Sequence, residues 1–87
     1  MAMLRINSRI CECGERLELE GRLTMPYVPE LARVVAEALA RATPVVLDLS
    51  ELTFLDADGV RLLRRLQSER VQIRGCSAFV AELLGIR

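Results

Sequence analysis

Two periodicities alternate along this 87-residue chain, and few folds accommodate their order. Leu17, Leu19, Gly21 and Leu23 alternate strictly with Arg16, Glu18, Glu20 and Arg22, while Leu4, Ile6 and Ile10 mark an earlier apolar face, so both stretches read as half-buried strands. The segment from Cys11 to Glu15, with Gly14 inside it, supplies a turn, which makes an opening antiparallel hairpin with Cys11 and Cys13 at its tip. Pro29 suits the first turn of a helix, and the spacing predicts that helix over Pro29 to Ala42. Leu31, Val35, Ala38, Leu39 and Ala42 share one side of it, with Glu30, Arg33, Glu37 and Arg41 on the other. Glu37 and Arg41 are an i,i+4 pair, and the helix is expected to stop before Thr43-Pro44.

Val45, Val46, Leu47 and Leu49, interrupted only by Asp48, form a short β-branched run expected of a central strand covered on both faces. After Phe54-Leu55-Asp56-Ala57-Asp58-Gly59 a second helix is expected over Val60 to Glu69. Val60, Leu62, Leu63 and Leu66 lie on one face, and Arg61, Arg64, Arg65 and Ser68 on the opposite one. Val71 to Arg74 alternates as a strand ending at Gly75, and Ser77 is placed to cap a last helix, Ser77 to Leu84, carrying Phe79, Val80, Leu83 and Leu84. The order is β-β-α-β-α-β-α, an α/β chain with helices packed on a small mixed sheet, in one domain over residues 1–87. Val46, Leu47, Leu49, Leu63 and Leu66 are its expected core.

Composition removes most chemistry. All twelve basic residues are arginine, and there is no lysine or histidine. Phosphate loops and Schiff-base enzymes that need a lysine, and imidazole catalysis, are therefore excluded. The net charge of zero gives no basic face for nucleic acid. Cys11, Cys13 and Cys76 are too few ligands for a zinc site. No metal or other cofactor is expected. Met1 to Ile10 has no signal-peptide pattern and no apolar run is long enough to span a bilayer, so a cytoplasmic protein without membrane insertion is expected.

The loop Leu55-Asp56-Ala57-Asp58-Gly59 falls between the central strand and a helix, where free backbone N–H groups and the positive helix end gather ligands in α/β sheets. A structural role is a helix cap from Asp58 or Asp56, with Asp58 favoured, and a Gly59 that relieves crowding where the chain turns. A phosphatase of the haloacid-dehalogenase type, with Asp56 attacking phosphorus, lacks the required lysine and a later acidic pair for magnesium. An EF-hand fails because Arg65 stands where its glutamate belongs.

Gly21-Arg22-Leu23 after an alternating strand, then a helix, then Val-Val-Leu-Asp-Leu-Ser-Glu-Leu-Thr-Phe-Leu-Asp-Ala-Asp-Gly-Val-Arg-Leu-Leu from Val45 to Leu63, resembles a STAS domain, the anti-sigma-factor-antagonist and sulfate-transporter module. The resemblance runs from about Leu17 to Ile86. In that family the loop reads Asp-Ser-Ser/Thr-Gly, and a partner kinase phosphorylates the residue after the Asp. Here Asp56 and Gly59 match, but the phosphoacceptor position is Ala57, and Asp58 replaces the second hydroxyl residue with one carboxylate, which is less charge than a phosphate carries. The short link from Gln67 to Arg70 and the end at the final helix imply a minimal bacterial member.

The resemblance implies a non-catalytic regulatory module without a phosphoacceptor, whose protein partner is an anti-sigma factor or kinase-like protein. That partner would contact Asp56, Ala57, Asp58, Gly59, Arg61, Arg64 and Arg65. The alternative it implies is a small accessory subunit bound to the ATPase of an ABC-type phospholipid transporter. The arginines could equally be an ordinary solvated helix face.

Overall fold

A computed structural model describes residues 4–11, 14–41, 44–67 and 69–85. Strands β1 (Leu4–Cys11) and β2 (Gly14–Leu23) are followed by a 3₁₀ turn (Met25–Tyr27), helix α1 (Val28–Ala40), strand β3 (Val45–Leu55), helix α2 (Ala57–Gln67), strand β4 (Val71–Arg74) and helix α3 (Ala78–Leu84). The expected order stands. Cys13 of the expected hairpin tip, Ala42 of the first helix face and Ser68 of the second lie outside the described residues.

The strands form one sheet in the order β1-β2-β3-β4. β1 and β2 are the expected antiparallel hairpin, with Ile6 opposite Leu19, while β2–β3 and β3–β4 are parallel. The parallel pairs require crossovers, which α1 and α2 supply. Leu17, Leu19, Val45, Leu47 and Leu49 are buried on one face of the sheet under Leu31, Val35 and Ala38 of α1 and Leu62, Leu63 and Leu66 of α2. Helix α3 adds Val80 and Leu84 to this core and leaves Phe79 and Leu83 exposed. No helix among the described residues is long and apolar enough to cross a membrane.

Three expectations change. β3 is not covered on both faces: Val46 is only half-buried, and its outward neighbour Asp48 is buried by polar partners. The Arg16 guanidinium donates to Asp48 Oδ2, while the backbone N and Oγ of Ser50 donate to Oδ1 at 2.9 and 2.7 Å. These donors hold the Asp48 carboxyl at a pKa of about 2. The rest of the outward face is a lattice of exposed pairs, Arg5–Glu20 and Arg9–Glu18 at 3.5 Å and Arg16–Glu18 at 3.7 Å. β3 also runs on through Ser50 to Leu55 instead of stopping after Leu49.

The third change concerns Arg41, which does not pair with Glu37. Its Nε and Nη2 donate to Glu15 at 2.8–3.0 Å, and Glu15 accepts a further bond of 2.7 Å from Ser8 Oγ. Glu15 is 3% exposed, so its carboxylate needs a cation far more than the solvated Glu37 does. Glu37 pairs instead with Arg33, at 3.0 Å. Ser8 and Arg41 together hold the Glu15 carboxyl below its ordinary pKa. At the far end of the chain Ser77 caps α3 as expected, its Oγ accepting from Val80 N at 3.2 Å.

Candidate partner-binding loop and helix

The parallel register brings the ends of β2 and β3 together at Leu23 and Leu55. Asp56 fastens this edge. Its backbone N donates to Leu23 O at 3.1 Å, and its side chain accepts from Met25 N at 2.8 Å and from Gly59 N at 2.8 Å. The bond to Gly59 N, three residues on, is that of a helix N-cap. Asp56 is therefore the cap of α2 and the favoured Asp58 is not, because α2 begins at Ala57 and Asp58 already lies inside its first turn. There Asp58 suits the positive helix end and pairs with Arg61, one turn along. With both Asp56 oxygens engaged by backbone donors, this carboxylate is a structural anchor, not a free nucleophile.

Gly59 is buried for a different reason from the expected turn. A Cβ on it would meet Leu23 O at 2.8 Å and Leu23 Cγ at 3.1 Å, so only glycine lets the first turn of α2 approach the end of β2 this closely. Ala57 is exposed at the head of the helix, and its side chain is a methyl group.

Arg61, Arg64 and Arg65 are all exposed on α2. The fold separates them, however. A groove of about 300 Å³ runs between α1 and α2 over Met25, Val28 and Leu62, with Asp58, Arg61 and Arg65 along it. Arg64 lies off this groove and has no ion pair among the described residues. Sequence patterning misses Val28 and Ala32 of this groove and also Met25, which is 52% exposed. The only cue to Met25 is the Pro26 that follows. Among the described residues no cluster of His, Cys, Asp or Glu is placed to hold a metal ion. Cys76 is a free thiol whose partial burial pushes its pKa up and lowers its reactivity.

Solved structures share this architecture. An anti-sigma factor antagonist from Mycobacterium paratuberculosis superposes with a TM-score of 0.77 at 21% identity, covering 95% of this chain and 79% of that one. The unphosphorylated form of the anti-sigma factor antagonist SpoIIAA gives 0.71 at 15% identity, over 95% and 82% of the two chains. A STAS domain of an antisigma-factor antagonist from Rhodobacter sphaeroides gives 0.68 at 22% identity, over 85% and 88%. The likeness defines a STAS-type, SpoIIAA-like fold. No curated protein matches the chain by sequence. Residues 12–86 match the family described as "Mlab, STAS domain", and the chain belongs to that family.

Proposed function

We propose that the chain, as one STAS-like unit, is a non-catalytic regulatory module that binds an acidic protein partner through the Asp56–Gly59 loop and the arginine-bearing face of α2. The observation that carries this reading is the groove beside the loop, where an apolar floor of Met25, Val28 and Leu62 is flanked by Arg61 and Arg65. Apolar floor and charged rim are the two components of a protein interface. Ala57 makes this binding independent of phosphorylation at the loop. The partner is an anti-sigma factor or a kinase-like relative of one, in line with the antagonists that share the fold, and the setting is cytoplasmic.

A pull-down followed by mass spectrometry names the partner, and calorimetry then compares wild type with the Arg61→Glu, Arg65→Glu double variant. The double variant is expected to keep its fold and to lose at least about 2 kcal/mol of binding through reversed interface charges. Added salt is expected to weaken wild-type binding. Equal affinities would return the arginine face to plain solvation.

A further inference from the structure

We propose that the open face of the sheet, opposite the helices, carries a second site that takes a small carboxylate with an apolar body, seated on Val46 and held by Arg74. A hollow of about 400 Å³ lies there, floored by Val46 and Pro44 and walled by Gly14, Glu15, Arg16, Gln72 and Arg74, the Glu15 carboxylate being taken up by Ser8 and Arg41. Its size is within the range of small-molecule sites. Arg16, Val46 and Gln72 sit level across β2, β3 and β4, so the half-buried valine lies between polar side chains on an otherwise charged face.

The charge at this hollow is unbalanced for a definite reason. Arg74 is the register partner of Asp48, the cross-strand position from which a carboxylate would normally answer it. Asp48 is already engaged, with Arg16 on one oxygen and Ser50 on the other. Arg74 turns instead to the neutral amide of Gln72, donating from Nε and Nη2 to Oε1 at 3.3 and 3.1 Å. No carboxylate pairs with it among the described residues. A planar guanidinium held at the edge of an apolar hollow by one long-bonded amide oxygen matches a carboxylate, which accepts two parallel N–H bonds in place of that amide. The site lies at the start of β3 and the Asp56 loop at its end, so the two readings stand or fall separately.

The test is a ¹H–¹⁵N titration of the whole chain with hexanoate as the probe, and with 1-hexanol and acetate to separate the apolar body from the charge. Hexanoate is expected to give saturable shifts at the amides of Val46, Gln72 and Arg74, with both controls weaker by at least about five-fold, the loss of a charge-assisted bond or of a buried alkyl chain. Gln72→Glu gives Arg74 a carboxylate of its own at an exposed position. Both Gln72→Glu and Arg74→Met are expected to weaken hexanoate by at least about five-fold, while Arg61→Met binds it as wild type does. The proposal is overturned if hexanoate causes no saturable shift, if either control binds as well, if Gln72→Glu leaves affinity unchanged, or if the shifts map to the groove beside Arg61.

Discussion

The carbonyl oxygen of Leu23 stands 2.8 Å from where a side chain on Gly59 would begin, so the last residue of β2 and the first turn of α2 touch backbone to backbone. Alanine at position 59 would favour an isolated helix by about 1 kcal/mol, but overpacking against fixed backbone costs about 1–3 kcal/mol, so Gly59→Ala is expected to be net destabilising. Urea denaturation of the two proteins checks the sign, and a more stable variant would show that α2 shifts freely on the sheet.

Leu47 lies at the centre of the sheet with no exposed surface. Leu47→Ala is expected to cost about 2–5 kcal/mol, a large part of what a small domain has. An unchanged melting temperature would contradict the packing of β3 under the helices.

Acid should weaken the fold through two outlying carboxylates. Asp48 has its pKa lowered from 3.8 to about 2, so its stabilisation is fully present above pH 4 and is lost as pH falls toward 2. Because the Arg16 partner is half-exposed and screened, the loss is on the order of 1 kcal/mol. Glu15, also lowered, adds in the same direction. Thermal melts of wild type and Asp48→Asn at pH 6 and pH 3 should show a smaller drop for the variant.

Incubation with a cognate kinase and ATP is expected to add no phosphate at position 57. Two hydroxyls near the loop in sequence are occupied, Ser50 Oγ donating to Asp48 and Thr53 Oγ1 to Gly21 O at 2.8 Å. Ala57→Ser restores an exposed hydroxyl at the head of α2 and is expected to make the chain a substrate. Intact-mass measurement reads both outcomes, and phosphate on wild type at another hydroxyl would revive a switch.

What the sequence makes legible follows the range of each rule. Strict alternation from Arg16 to Leu23 and the apolar stripe of Leu62, Leu63 and Leu66 are local patterns, and both elements form, although the second helix runs from Ala57 to Gln67 and not from Val60 to Glu69, because Asp56 caps it. The length of β3 is hidden because its pairing with β2 twice admits an extra residue: Glu18 to Glu20 spans Asp48 to Glu51, and Gly21 to Arg22 spans Leu52 to Phe54. Its buried leucines therefore fall at 47, 49, 52 and 55, a spacing that no longer reads as a strand. The separation of Arg64 from Arg61 and Arg65 was equally out of reach, since it depends on where α1 lies. The cap is a closer miss: Asp56 and Asp58 both satisfy cap chemistry, and only the bond from Met25 N, 31 residues away in sequence, fixes Asp56 at the edge of the sheet.

Glu15 bonds Ser8 on β1 and Arg41 beyond α1, and its own N–H reaches Pro44 O at 2.9 Å, just before β3. The end of α1 cannot fray, taking Arg41 with it, without leaving the Glu15 carboxylate buried and without its cation. Partial opening at this end is therefore costlier than the sum of its contacts, and hydrogen exchange there should follow unfolding of the whole chain instead of local breathing.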